Sequence, residues 1–197
     1  MDLILSTRNQ SKAEQIKALL GILPLRILTL EDAGVDGEAV EDGATLEENA
    51  LKKARFAQEL TGKWAVADDT GLFIDALGGQ PGIHAARWAG KGKTTEEIMD
   101  HTLWKLRHVL PGERTATFKT VAVAVSPQGE HSVFVGEAKG VLLPGPRCAL
   151  QPKMPYSAIF VPDGQPKVWA EMSVDEENAV SHRGKAFRQL REFLSDL

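Results

Sequence analysis

The sequence predicts a mixed α/β fold, and three observations carry that expectation. Short β-rich runs alternate with capped helices through the first half of the chain. Thr115 to Val125 is rich in Thr, Val and Phe, and a Ser126-Pro127-Gln128-Gly129 turn joins it to a hairpin partner, His131 to Glu137. The last helix carries Ala186, Phe187, Leu190, Phe193 and Leu194 at helical spacing, which is a core stripe.

In chain order, Asp2 to Thr7 reads as a short strand, and Asn9 is a good N-cap for a helix from Gln10 to Leu20. Leu25 to Leu30 reads as a second strand, and the acidic, Gly-rich segment Glu31 to Ala44 as a loop. Thr45 with Glu48 forms a capping box, and the helix it opens runs to about Leu60, stopped by Gly62. Its polar residues Glu47, Asn49, Lys52, Lys53 and Arg55 read as a solvated face, although a helix face lining a site has the same pattern. Trp64 to Asp68 and Leu72 to Asp75 are strand-like runs on either side of the acids Asp68 and Asp69.

Leu77 to Ile83 is a Gly/Pro-rich shaped loop, followed by His84, Arg87 and Trp88 in a short helical piece. Thr94 to Glu97 is a second capping box, on a helix expected to run to Pro111-Gly112. Lys139 to Leu143 adds a strand or extends the hairpin, and the chain then reads as loop to Pro155. Tyr156 to Val161 is read as a strand. Ser173 to Glu176 is a third capping box on a short helix, and Ser181 caps the last one.

Composition narrows the function classes. The chain has 197 residues, enough for one large domain or two merged lobes. A net charge of −4 provides no electrostatic footprint for a nucleic-acid polymer or a membrane surface. No apolar run is long enough to span a bilayer, and no signal peptide is evident. The single cysteine, Cys148, excludes an internal disulfide and fits a reducing cytoplasm.

Three polar stretches carry candidate chemistry. Asp68 and Asp69 sit between apolar runs; fixed side by side they repel, and Mg²⁺ would relieve that repulsion. The alternative is an acidic turn in which Gly71 supplies an unusual backbone angle. Glu41, just before the second helix, either solvates its loop or reaches a metal at the acid pair. Ser6, Thr7, Asn9, Ser11 and Lys12 surround a strand-to-helix turn, which favours an anion; plain capping with a solvated lysine is the other reading. His182 and Arg183 lie in a first helical turn, where the dipole disfavours cations. They point to an anionic partner, or else they are solvated or paired with Asp175, Glu176 or Glu177.

Taken in order, Thr7-Arg8-Asn9-Gln10-Ser11-Lys12, Glu48-Asn49-Ala50, Ala67-Asp68-Asp69-Thr70-Gly71-Leu72, Leu77-Gly78-Gly79-Gln80-Pro81-Gly82-Ile83 and Ser181-His182-Arg183 resemble the inosine triphosphate pyrophosphatase family, also called RdgB/HAM1, over essentially the whole chain. The resemblance implies a single ITPase-like domain, residues 1–197. Its fold would be a long central mixed sheet with two helix-flanked lobes around a substrate cleft, usually as a homodimer. It implies Mg²⁺-dependent hydrolysis of nucleoside triphosphates, favouring deaminated purines such as ITP, dITP and XTP, to a monophosphate and pyrophosphate. Asp69 would be proton acceptor and Mg²⁺ ligand, with Asp68 and Glu41 as supporting acids. Thr7 to Lys12 would cradle the triphosphate, Thr70 would contact substrate, and His182 and Arg183 would reach the nucleotide, Arg183 reading the 6-oxo edge of the base.

The chain departs from the family pattern on the nucleotide-recognition side. Where the family carries Gly-Phe-Gly-Tyr-Asp-Pro, this sequence has Lys153-Met154-Pro155-Tyr156-Ser157-Ala158, so Met154 replaces the stacking aromatic and Ser157 the base-reading acid. Glu177 replaces a lysine, and Arg8 stands where glycine is common. The expectation is retained pyrophosphate release with shifted base selectivity. The competing hypotheses are a non-catalytic nucleotide-binding protein, which the intact Asp68-Asp69 pair opposes, and a structural domain without a ligand, opposed by polar residues at three helix starts.

Overall fold

The computed structural model describes residues Met1–Leu197. A mixed sheet of seven strands organises the chain: β1 (Asp2–Leu5), β2 (Arg26–Thr29), β3 (Trp64–Ile74), β4 (Pro81–Gly82), β5 (Thr115–Val125), β6 (His131–Leu142) and β7 (Phe160–Pro162). The strand order is β2-β1-β3-β5-β6-β7, with β4 paired to β3. β1 lies parallel to both β2 and β3, with Leu5 opposite Val66, whereas β4 and β7 pair antiparallel with β3 and β6. The helices are α1 (Gln10–Leu20), α2 (Leu46–Thr61), α3 (Thr95–Lys105), α4 (Val174–Val180) and α5 (His182–Ser195). None is long and apolar enough to cross a membrane.

The cap signals act where the sequence places them. Asn9 accepts the Lys12 amide at 3.3 Å, and Thr45 accepts that of Glu48 at 3.1 Å. Both partners of the capping box are made at α3 and at α4. At α2 the returning Glu48 carboxylate accepts from Ala44, one residue before the cap.

The chain forms two compact units. One comprises Met1–Thr70, Thr120–Gly136 and His182–Leu197, and the other Gly71–Lys119 and Glu137–Ser181. Each has its own core. In the first, strand alternation sorts the apolar residues onto two faces. Leu3, Leu5 and Val66 pack with Ile16, Leu20, Phe187 and Leu190 of α1 and α5. Ile4 and Ala65 pack with Ala57 of α2. In the second unit Phe118, Phe160 and Trp169 form an aromatic cluster with centroids 4.5 to 4.8 Å apart.

Three expectations change, and at β6 one of two alternatives is decided. β3 is one unbroken strand from Trp64 to Ile74, so Asp68 and Asp69 sit mid-strand and not in an acidic turn. The Thr, Val and Ala around them suit a pleated, buried surface, and Gly71 lacks a positive φ. Its small size matters instead, because a Cβ there would lie 2.9 Å from the Gly82 carbonyl oxygen. α3 stops at Lys105, since Leu106 already leaves helical geometry, and Pro111–Glu113 is a separate 3₁₀ turn. β6 runs continuously to Leu142, absorbing the segment after the hairpin. Only Phe160–Pro162 of the expected Tyr156 to Val161 strand is extended; the residues before it form a turn in which Ser157 and Phe160 amides bond back to Met154 and Tyr156.

Gly136 determines how closely α5 approaches β6. A Cβ at this position would stand 2.1 Å from the His182 carbonyl oxygen and 2.6 Å from the Ala186 nitrogen, both backbone atoms that cannot swing away. Gly136→Ala is therefore expected to lower stability by at least about 1–3 kcal/mol, the scale of overpacking in a core. Urea denaturation of the variant beside the parent protein checks this.

Candidate active site

Consecutive residues of a strand point to opposite faces, and this divides the acid pair. Asp68 shares a face with Val66 and meets α1 and α5. Lys12 Nζ donates to its Oδ2 at 2.9 Å, Arg183 lies 3.5 Å from the same oxygen, and Thr70 Oγ1 donates to it at 3.2 Å. Asp69 faces α2, where Asn49 Nδ2 donates to Oδ2 at 3.2 Å and Lys53 Nζ to Oδ1 at 3.3 Å. The two carboxylates therefore accept hydrogen bonds from different cations. The mutual repulsion expected from their adjacency in sequence is relieved by strand geometry and by lysines on both sides.

Asp68 is 2% exposed. Burial alone would push its carboxyl up, but Lys12, Arg183 and Lys53 together outweigh it and hold the group well below the usual carboxylate range. Burial in turn lowers the Lys12 ammonium, which Asp68 pulls back up. Lys12 is thus a sequestered ion-pair partner, not the solvated lysine of the plain-capping reading. One oxygen of Asp68, Oδ1, is buried with no hydrogen-bond partner, leaving an acceptor in hand.

Arg183 is oriented from two sides. Nη1 donates to Gln15 Oε1 at 2.6 Å, and Nη2 lies 3.5 Å from Thr70 Oγ1. Thr70 is itself 2.7 Å from Thr120 Oγ1. Arg183 pairs with Asp68, because the start of α5 packs on the sheet face that Asp68 occupies. His182 is 3% exposed; burial first, and Arg183 second, hold its imidazole well below the ordinary value, so it is neutral at pH 7.

Glu41 lies on the Asp69 side: Lys53 Nζ is 3.5 Å from its Oε1, so one ammonium spans both acids. An all-oxygen pair of this kind suits a hard divalent cation such as Mg²⁺. At the strand-to-helix turn, Thr7 Oγ1 accepts the Asn9 amide at 3.2 Å and Gln10 pairs with Glu14 on the surface. Ser11 is half-buried. The Arg8 guanidinium turns away from the first turn of α1, donating to the Gly37 and Val35 carbonyls at 2.7 and 3.0 Å with Glu38 beside it.

The remaining sequence-selected residues belong to the second unit. Tyr156 is a core residue, 4% exposed, with its hydroxyl donating to the Ala85 carbonyl at 2.8 Å and its ring against Phe118. Burial pushes its phenol up. Ser157 braces its own loop: its Oγ accepts from the Gln151 amide and donates to the Met154 carbonyl, both at 2.9 Å. Met154 and Pro155 are half-buried. Lys153 has φ +58°, the left-handed region that favours glycine. Glu177 is 2% exposed, within α4.

The sequence left Asn49 and Lys53 as either a solvated or a site-lining face, and it gave no role to Gln15 or Thr120. The first two were legible as an i, i+4 pair on α2, a spacing that puts both on one face. Gln15 and Thr120 carry no local signal.

The sequence pattern of the Ham1 family matches residues 3–193. The chain belongs to the Ham1 family. Among its relatives, a dITP/XTP pyrophosphatase of Geobacter sulfurreducens is 41% identical, covering 98% of this chain and 96% of that protein. One of Frankia alni is 40% identical, covering 100% and 98%. A solved Ham1-family structure from Coxiella burnetii, described as a HAM1 protein, superposes with a TM-score of 0.87 at 32% identity, covering 100% of both chains.

Asp68→Asn leaves Lys12 and Arg183 buried without their anion and is expected to destabilise the protein by roughly 3–5 kcal/mol at neutral pH. An unfolded aspartate takes up its proton near 3.8, while folded Asp68 resists until lower pH, so its contribution is complete above 3.8 and fades as pH falls below that value. Denaturation of parent and variant from pH 7 to pH 3 should show a gap that narrows only at the acid end.

Proposed function

We propose that the chain is a nucleoside triphosphate pyrophosphatase that cleaves between the α and β phosphates, releasing a monophosphate and pyrophosphate, with deaminated purine nucleotides (dITP, XTP) as substrates. The observation that carries the reading is the arrangement about β3: a carboxylate with cationic partners on one face, and an acid pair suited to Mg²⁺ on the other. The names of the full-length relatives from Geobacter sulfurreducens and Frankia alni support the substrate class.

In this reading the residues divide their work. Asp69 takes the proton of the attacking water; it is 8% exposed, and Asn49 orients it through Oδ2. Asp68 is not that base: a carboxylate held ionised by two cations is a weak proton acceptor at pH 7. It positions Lys12 and Arg183. The turn from Thr7 to Lys12 offers amides, hydroxyls and charge to the phosphates. Neutral His182 and cationic Arg183 serve the nucleotide, and Thr70 holds Arg183 in place. Asp69 and Glu41 would hold Mg²⁺, which when bound offsets phosphate charge during attack. Oxygen ligands are the donors this cation prefers.

The base is read without a carboxylate at position 157, since the Ser157 hydroxyl is engaged inside its loop. Met154 provides apolar contact without a ring, and Glu177 adds no cation. Selectivity among purines therefore rests more heavily on Arg183 than on the 153–158 segment. The working form in this proposal is a cytoplasmic homodimer with no nucleic-acid or membrane partner.

Incubation with Mg²⁺ and a panel of ITP, XTP, dUTP, GTP and ATP, read as pyrophosphate, tests the activity; no release from any nucleotide refutes it. Asp69→Asn is expected to lower kcat by about 10²–10⁴-fold with the fold intact, the scale of losing a general base. Undiminished turnover would remove Asp69 from that role.

A further inference from the structure

We infer that Lys53 occupies the place of the divalent cation between Asp69 and Glu41, so that metal alone binds weakly and metal and nucleotide bind together. The inference rests on the reading of Asp69 and Glu41 as metal ligands.

Lys53 is largely buried, its side chain 14% exposed, and its ammonium lies 3.3 Å from Asp69 Oδ1 and 3.5 Å from Glu41 Oε1. A compact, strongly hydrated ammonium and Mg²⁺ seek the same hard oxygens, and both cannot hold the same carboxylate atoms. The surroundings limit the ways out of this competition. The Lys53 carbonyl is held by Ser6 Oγ at 2.7 Å, so the backbone stays fixed and only the side chain can withdraw. Asn49, one turn earlier on α2, holds the other oxygen of Asp69, so the carboxylate cannot simply rotate away.

Charge points the same way. Lys12, Lys53 and Arg183 balance Asp68, Asp69 and Glu41, three against three. A divalent cation arriving alone displaces a buried ammonium and leaves two uncompensated positive charges. A cation arriving with a polyphosphate brings the anion that both it and the displaced ammonium require. Lys53 thereby couples the two binding events, and it does so as a competitor of the metal as well as a cation near the substrate.

The test is Mn²⁺ binding without nucleotide, measured by electron paramagnetic resonance on the full chain, for the parent, Lys53→Met, Lys53→Gln, Lys52→Met and Asp69→Asn. Lys52 lies on the same helix, paired with exposed Asp42, so Lys52→Met makes the same change in net charge away from the acids. Lys53→Met and Lys53→Gln should bind Mn²⁺ about tenfold more tightly than the parent, as expected for removal of a partly buried competing charge. Lys52→Met should stay within about twofold, as surface pairs contribute little. Adding a non-hydrolysable nucleoside triphosphate should tighten Mn²⁺ binding in the parent more than in the Lys53 variants. Equal or weaker binding by both Lys53 variants, or equal tightening by Lys52→Met, overturns the inference. No binding by any protein overturns it as well, since removing the ammonium then frees no site. Binding that survives Asp69→Asn unchanged refutes instead the assignment of the metal to Asp69 and Glu41. A cooperative thermal transition in either Lys53 variant confirms that a folded protein was measured.

Discussion

The buried carboxylate of Asp68 is the charge on which the first unit closes. It draws Lys12 from α1 and Arg183 from α5, residues 56 and 115 positions away in sequence, onto one oxygen. An anion this deep is tolerated only because cations surround it, and those cations are tolerated only because of the anion. The start of α5, the first turn of α1 and the middle of β3 therefore form a single electrostatic unit. Gly136, by letting the His182 carbonyl approach β6, is the steric condition for it.

Strand alternation makes this arrangement two-sided. The same pleat that sends Leu3, Leu5 and Val66 to α1 and α5 sends Ile4 and Ala65 to α2. Continued by a few residues, it sends Asp68 to one side and Asp69 to the other. The apolar sorting of the core and the chemical sorting of the acids are one geometric fact. An adjacent acid pair reads most simply as a shared cation site, yet here one acid pairs with Lys12 and Arg183, while its neighbour lies with Glu41 beside Lys53.

The departures from the Ham1-family pattern take a different character once placed in the fold. Ser157 braces the loop that contains it through Gln151 and Met154, and Tyr156, which follows the family pattern, anchors it to the Ala85 carbonyl. Lys153 holds a left-handed backbone that glycine would adopt without strain. The loop is thus braced by its own hydrogen bonds.

The sequence by itself determined the class of fold, the caps of α1 to α4, the buried stripe of α5 and the polar stretches that the site draws on. These are local signals, set by side-chain periodicity and by hydrogen bonds a few residues long. It misjudged what depends on register and burial. The single strand through Asp68 and Asp69 read as two runs broken at the acids, with a turn left open as an alternative, because acids are rare in strand interiors and only the facing cations make them tolerable there. Asn49 and Lys53 read as a solvated face because an i, i+4 polar pair looks alike in water and against a carboxylate. Gln15 and Thr120 carried no signal, since their partners lie 168 and 50 residues away. Tertiary structure decided which charges meet, because pairing across such distances depends on how strands and helices pack, and no short window of sequence contains that.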